Sequence, residues 1–192
     1  MRLFAALAIP TEVREKIAVL IRELRVVDAN PKWINPDNLH VTLKFIGEVA
    51  PEKAAEIGDA LFIVQTQQQA VVEFGDVGFF PDARRPSVVW VGIQPPQFLS
   101  SLAAEVNHVL AALGIPREEK PFVPHLTIAR FKETRLSPAL RTDIEKRKSR
   151  KFGTLTTGEF HLIESKGKST GAEYTTLRSF RFAPEESKGS RP

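Results

Sequence analysis

Apolar and polar positions along this chain switch repeatedly between two rhythms. Residues 3–9 form a short apolar run, which predicts a strand. Val13, Ile17, Leu20, Leu24 and Val27 then recur every three or four positions. That spacing predicts a helix, with Thr11 as its cap. Residues 39–46 predict a second strand. Pro51 suits the first turn of a helix running to about residue 65. Residues 71–79 and 87–94 predict a strand pair, joined through a turn at Pro81-Asp82-Ala83-Arg84-Arg85-Pro86. A helix over residues 97–113 stops at Gly114. Residues 125–131 predict a strand, and Ser137-Pro138 opens a short charged helix. Residues 152–164 and 174–182 predict a final strand pair, and residues 183–192 read as a disordered tail.

The pattern repeats itself at an offset of 85 residues. Pro10 falls on Pro95, Pro31 on Pro116 and Pro36 on Pro121; His40 falls on His125 and Thr42 on Thr127. The stripe Val13, Ile17, Ile21, Leu24 maps onto Phe98, Leu102, Val106, Val109, with no gap between residues 2 and 46. Each match alone is cheap, but together they argue for duplication. The expected fold is therefore α+β, with mostly antiparallel sheet and flanking helices. Two lobes related by a pseudo-twofold axis make one bilobal domain over residues 1–182, with a cleft between them.

Side chains at i and i+2 on a strand share a face. His40 and Thr42 therefore point one way while Val41 and Leu43 point the other, and His125, Leu126, Thr127 and Ile128 repeat the split. If the apolar set fills each half's core, the polar set faces the cleft. Two imidazoles and two hydroxyls then meet in one space. One histidine can accept a proton from water while the other protonates a leaving alkoxide. An unperturbed imidazole, with a pKa of about 6.5, suits both tasks. The threonine hydroxyls can hold non-bridging phosphate oxygens. A lone His-x-Thr is usually structural; two copies at the repeat offset change that balance.

Composition narrows the chemistry. There is no cysteine, which excludes disulfides, a thiol nucleophile and cysteine-based metal sites. No Asp or Glu accompanies both motifs, since Asp37 has Phe122 as its repeat partner. Metal ligation therefore ranks below acid–base catalysis, and neither a metal nor a cofactor is expected. A net charge of +4 suits a polyanionic partner such as RNA. No apolar run approaches the ~20 residues of a membrane span. The N-terminal run is short and leads straight into charged sequence, so a cytoplasmic protein without membrane contact is expected.

Three segments carry a family resemblance. They are residues 33–48 (Trp-Ile-Asn-Pro-Asp-Asn-Leu-His-Val-Thr-Leu-Lys-Phe-Ile-Gly-Glu), 88–93, and 124–130 (Pro-His-Leu-Thr-Ile-Ala-Arg). Through them nearly the whole chain resembles the 2H phosphoesterases, and within these the bacterial and archaeal 2'-5' RNA ligase/RNA 2',3'-cyclic phosphodiesterase family. The resemblance implies hydrolysis of an RNA or nucleotide 2',3'-cyclic phosphate to a 2'-phosphate. It implies His40 as proton donor to the leaving 3'-oxygen and His125 as proton acceptor from water. The two symmetric halves do not by themselves assign these roles. The resemblance also marks Arg130 for the substrate phosphate, beside Thr42 and Thr127. Strand alternation opposes this: residues 125 and 127 face the cleft, so residue 130 faces away unless a bulge re-aims it. Its repeat partner is Phe45.

Other residues weigh less. His108 lies off its helix's apolar stripe, and His161 has no His-x-Thr context; both read as bystanders. Trp33, Phe79 and Phe80 can stack a base, although buried aromatics are commoner. Arg84 and Arg85 can touch phosphates from their turn. The basic run at residues 141–151 reads as a solvated face. A cyclic phosphodiesterase acting as a monomer is the leading function. A 2'-5' RNA ligase using the same site is the alternative, followed by a non-catalytic RNA-end-binding module.

Overall fold

The runs of apolar sequence fold as β1 (Arg2–Ala8), α1 (Thr11–Val27), β2 (Lys32–Trp33), a 3-10 turn η1 (Pro36–Asn38), β3 (His40–Glu48), α2 (Pro51–Leu61), β4 (Val71–Phe80), β5 (Val88–Gln94), α3 (Gln97–Ala112), β6 (His125–Arg130), α4 (Pro138–Lys146), β7 (Lys151–Thr156), β8 (Glu159–Lys168) and β9 (Gly171–Arg181). The computed structural model describes residues 1–64, 69–133, 135–168 and 171–182. The expected tail at 183–192 and a helix end near residue 65 lie outside the described residues; α2 itself stops at Leu61. The strands form two antiparallel sheets, ordered β3-β1-β8-β9 and β2-β6-β5-β4-β7. Their β3 and β6 borders meet, with Cα atoms within 8 Å. No described helix is long and apolar enough to cross a membrane.

Local signals place most boundaries. Ser137 accepts from the Leu140 amide and Pro138 opens α4, as an N-cap followed by proline should. Gly114 ends α3 with φ +79, a conformation that favours glycine. Thr11 is not a cap. The N-cap is Pro10, without a side-chain bond, and the Thr11 hydroxyl instead accepts from Arg14.

Three expectations need correction. Residues 152–164 are not one strand. They break at Thr157 and Gly158 into β7 and β8, which lie in different sheets. Buried Thr157 makes the crossing by bonding Ala70 through both its backbone and its hydroxyl. Nor does each half bury its own helix. Helix α1 packs on β7 and α4, while α3 packs on β3 and α2. Val13 Cγ2 of α1 lies only 3.1 Å from where a Gly153 side chain would begin. The halves exchange helices, and nearly all buried apolar side chains join one continuous core. A shared core ties the two sheets into one body and fixes their borders against each other.

The repeat also shifts by one residue between elements. Ala6 pairs with Thr42, and Trp90 holds the matching place opposite Thr127. The first strands therefore correspond at an offset of 84. Four of the five buried positions of α1, Val13, Ile17, Leu20 and Leu24, match Leu99, Ala103, Val106 and Leu110, at an offset of 86. Only the histidine strands keep the offset of 85. Short loops absorb the single-residue changes, because each element is held by its own buried face.

Candidate active site

Strands β3 and β6 position the two His-x-Thr pairs. His40, Thr42, His125 and Thr127 are half-buried, while Val41, Leu43, Leu126 and Ile128 between them are buried. The polar residues therefore face the space between the sheets. Each imidazole is held in the same way. His40 Nδ1 lies 2.7 Å from the Asn38 carbonyl oxygen, and His125 Nδ1 lies 2.8 Å from that of Val123. A carbonyl accepts only, so Nδ1 carries the hydrogen in both rings, and Nε2 is left to accept or deliver a proton.

Aromatic rings back both imidazoles. Phe4 lies 4.7 Å from the His40 centroid, and Tyr174 meets the same ring edge-on at 5.2 Å and 84°. Phe80 meets His125 edge-on at 5.0 Å and itself packs on Trp90 at 5.4 Å. The indole of Trp90 lies across Gly78, where a Cβ would collide with it. This apolar backing removes water. Burial is the main cause holding both imidazoles below their ordinary pKa. Each carbonyl at Nδ1 works against it, and the Arg130 charge lowers both further.

Arg130 reaches the cleft because β6 bulges. Val89 pairs with Ala129 but Trp90 pairs with Thr127, so Ile128 is an extra residue. Beyond it Arg130 pairs with Val88, which shares a face of β5 with Trp90 and Gly92, the partners of Thr127 and His125. The bulge reverses the alternation, and the expectation that residue 130 faces away is corrected. Strand β3 does the same at Leu43. Ala5 pairs with Lys44 and Ala6 with Thr42. Phe45 thereby joins Phe4 on the cleft face, with their rings 6.3 Å apart. Phe45 is 54% exposed, an unusual state for a large apolar side chain at a cleft.

Sequence reasoning missed Phe45 and Tyr174. Phe45 was legible as the repeat partner of Arg130; Tyr174 gave no signal, because its contact crosses the chain. Among the aromatics considered for stacking, Trp33 packs on the core and donates Nε1–H to the Asp28 carbonyl at 3.0 Å. Phe79 is also a core residue. His108 is exposed. His161 shares the cleft face with Ala6, where its Nδ1 lies 2.9 Å from the Ser179 hydroxyl. Arg84 and Arg85 lie on an exposed turn. Much of the basic run is neutralised: Arg147 and Arg150 reach Glu23, and Arg147 also reaches Asp143.

The chain is similar to a group of known proteins. The family model of the 2'-5' RNA ligase superfamily matches residues 13–169. The chain is 38% identical over 180 residues to the RNA 2',3'-cyclic phosphodiesterase of Archaeoglobus fulgidus, covering 94% of this chain and 99% of that one. It is 32% identical to the protein of the same name from Thermus thermophilus, covering 100% and 98%. Among solved structures, LigT of E. coli complexed with 3'-AMP superposes with a TM-score of 0.76 at 29% identity, covering 94% of this chain and 97% of that one.

Proposed function

We propose that this chain, which belongs to the 2'-5' RNA ligase superfamily, hydrolyses a 2',3'-cyclic phosphate at an RNA or nucleotide end to a 2'-phosphate, using His40 and His125 as acid and base. The observation that carries the reading is the matched pair of imidazoles, one from each half. Each has Nδ1 tied to a carbonyl, and both lie within the field of one arginine. The curated relatives named RNA 2',3'-cyclic phosphodiesterase, spanning almost the whole chain, support the reaction.

In this mechanism the neutral His125 takes a proton from water as the water oxygen bonds to phosphorus. The bond from phosphorus to the 3'-oxygen breaks. The protonated His40 gives its Nε2 proton to that oxygen. Thr42, Thr127 and Arg130 hold the non-bridging oxygens as charge grows on them. The exposed ring of Phe45 offers a face on which a base stacks. No metal or cofactor takes part, and one chain supplies every group, so a monomer working in the cytoplasm suffices.

Ligation of RNA ends through a 2'-5' bond is the second reading, favoured by the description of the matching family. It uses the same proton transfers in the same direction, with an RNA 5'-hydroxyl in place of water bonding to phosphorus as the 3'-oxygen leaves. The test is incubation of a nucleoside 2',3'-cyclic phosphate with the protein in EDTA, followed by identification of the product isomer. The 2'-phosphate is expected. The 3'-isomer, or cleavage abolished by EDTA, would overturn the mechanism.

A further inference from the structure

We propose that the β8–β9 hairpin positions His40, acting through the ring of Tyr174 and the side chain of Asn38. The inference rests on the reading of His40 as a proton-transfer group. Two strands, β1 and β8, separate β9 from β3 in the sheet. Ordinary neighbouring in the sheet therefore does not explain a contact between β9 and the His40 segment. The hairpin outruns its sheet: β1 pairs only with residues 161–165 of β8. Lys166, Gly167 and Lys168 pair with Glu173, Ala172 and Gly171 across the hairpin. This free end curls over the cleft face. Tyr174, at the base of this overhang and opposite Ser165, lies within 5.2 Å of the His40 ring centroid and 5.1 Å of Phe4. The overhang itself brings the Ala172 carbonyl to 2.8 Å from Asn38 Nδ2, which donates to it.

Asn38 is bound at both ends of this link. Its side chain grips the hairpin, and its backbone carbonyl accepts from His40 Nδ1. Moving the hairpin therefore moves both the ring that packs on His40 and the carbonyl that orients it. Among the described residues the second half shows an edge-on ring, Phe80 on His125, but no side-chain bond from the segment that orients that histidine. Val123 stands where Asn38 stands in the first half, is 53% exposed, and carries no amide. Tyr174 and Asn38 thus act on one imidazole and not the other.

Few groups face His40. Arg130 bears on it from β6, the phenol of Tyr174 from β9, Phe4 from β1 and the Asn38 carbonyl from η1. Among the described residues no carboxylate pairs with it. Removing the Tyr174 ring should rehydrate His40 and restore freedom to rotate. Rehydration raises a pKa that burial had lowered.

The experiment compares Tyr174→Phe, Tyr174→Ala and Asn38→Ala by steady-state kinetics on a nucleoside 2',3'-cyclic phosphate. The two imidazoles are also titrated separately by NMR. Tyr174→Ala should lower kcat roughly tenfold with little change in KM, since the loss is one of orientation. Its His40 midpoint should rise while that of His125 stays. Tyr174→Phe should match the parent in both readouts, because the ring and not the hydroxyl makes the contact. Asn38→Ala should move the same quantities in the same direction by less. An unmoved His40 midpoint in Tyr174→Ala would overturn the proposal. So would a Tyr174→Phe variant as impaired as Tyr174→Ala, or His125 shifting as far as His40. The titration needs no turnover, so a failure of the cyclic phosphodiesterase reading leaves it intact and is seen separately in the parent protein.

Discussion

Strands β3 and β6 begin alike and end differently. Both start with a histidine whose Nδ1 is tied to the carbonyl two residues earlier. Both then alternate half-buried and buried positions and bulge at the same repeat position, Leu43 or Ile128. Beyond the bulge β3 presents an exposed phenyl ring, Phe45, and β6 presents the guanidinium of Arg130. What the halves share can move protons in either direction. What differs gives the cleft a polarity: a cation where a phosphate can sit, and an aromatic face where a base can lie. Under the proposed mechanism the repeated motif supplies the pair of groups, and the residues past the bulges set one orientation of substrate.

The most severe way to break this comparison is to remove the shared part. His40→Ala and His125→Ala should each cut kcat by ~10²–10⁴-fold while folding is kept, as circular dichroism would report. Near-parent activity in either variant would refute the pair. The two should then separate on a phosphodiester whose leaving group is a nitrophenolate, which departs without a proton. His40→Ala should recover there, and His125→Ala should not.

The next largest effect lies past the bulge. Arg130→Gln should cost roughly a hundredfold in kcat/KM. It should also move both limbs of the pH profile upward. Arg130 is a positive charge that disfavours protonation of both imidazoles, so its loss makes each easier to protonate. A variant with unshifted limbs would place the guanidinium away from the histidines. Phe45→Ala should raise KM for a cyclic nucleotide by about tenfold and leave inhibition by inorganic phosphate unchanged. Equal weakening of both would deny Phe45 a role in stacking.

The smallest expected effect is on stability. Lys44, 4% exposed, has Ala129 as its repeat partner. Its Nζ donates to the Pro116 carbonyl at 2.6 Å and reaches Glu118 at 3.3 Å. The corresponding flank of β6 is closed instead by backbone pairing with β2. Lys44→Ala should cost about 1–2 kcal/mol in denaturant unfolding, with kcat within twofold of the parent. An unchanged midpoint would mean the strand pairs of β3 already suffice.

Much of this was legible in the sequence, for physical reasons that differ by element. Every strand and helix with a sustained apolar period was recognisable, because one buried face imposes the period. The His-x-Thr pairs were recognisable because a strand keeps i and i+2 together. The bulge left a trace that simple alternation hides. In His-Leu-Thr-Ile-Ala-Arg, Ile128 and Ala129 are apolar in succession, which a regular half-buried strand does not allow. The helix exchange between halves was not legible, since α1 and α3 would be equally apolar whichever sheet they covered. Tyr174 was invisible for a similar reason: 134 residues separate Asn38 from the hairpin carbonyl that it binds, and no local period reports so distant a contact.

The account stands on one imidazole from each half serving one phosphorus atom. The most direct test is the pH dependence of kcat/KM on a nucleoside 2',3'-cyclic phosphate for the parent and both single-histidine variants. The parent should give a bell lying on the acid side of an ordinary imidazole's ~6.5, because burial lowers both groups. The residual rate of His40→Ala, which keeps only the base, should rise with pH to a plateau. That of His125→Ala, which keeps only the acid, should fall as pH rises. A flat parent profile between pH 5 and 8, or a bell that survives either substitution, would contradict the claim.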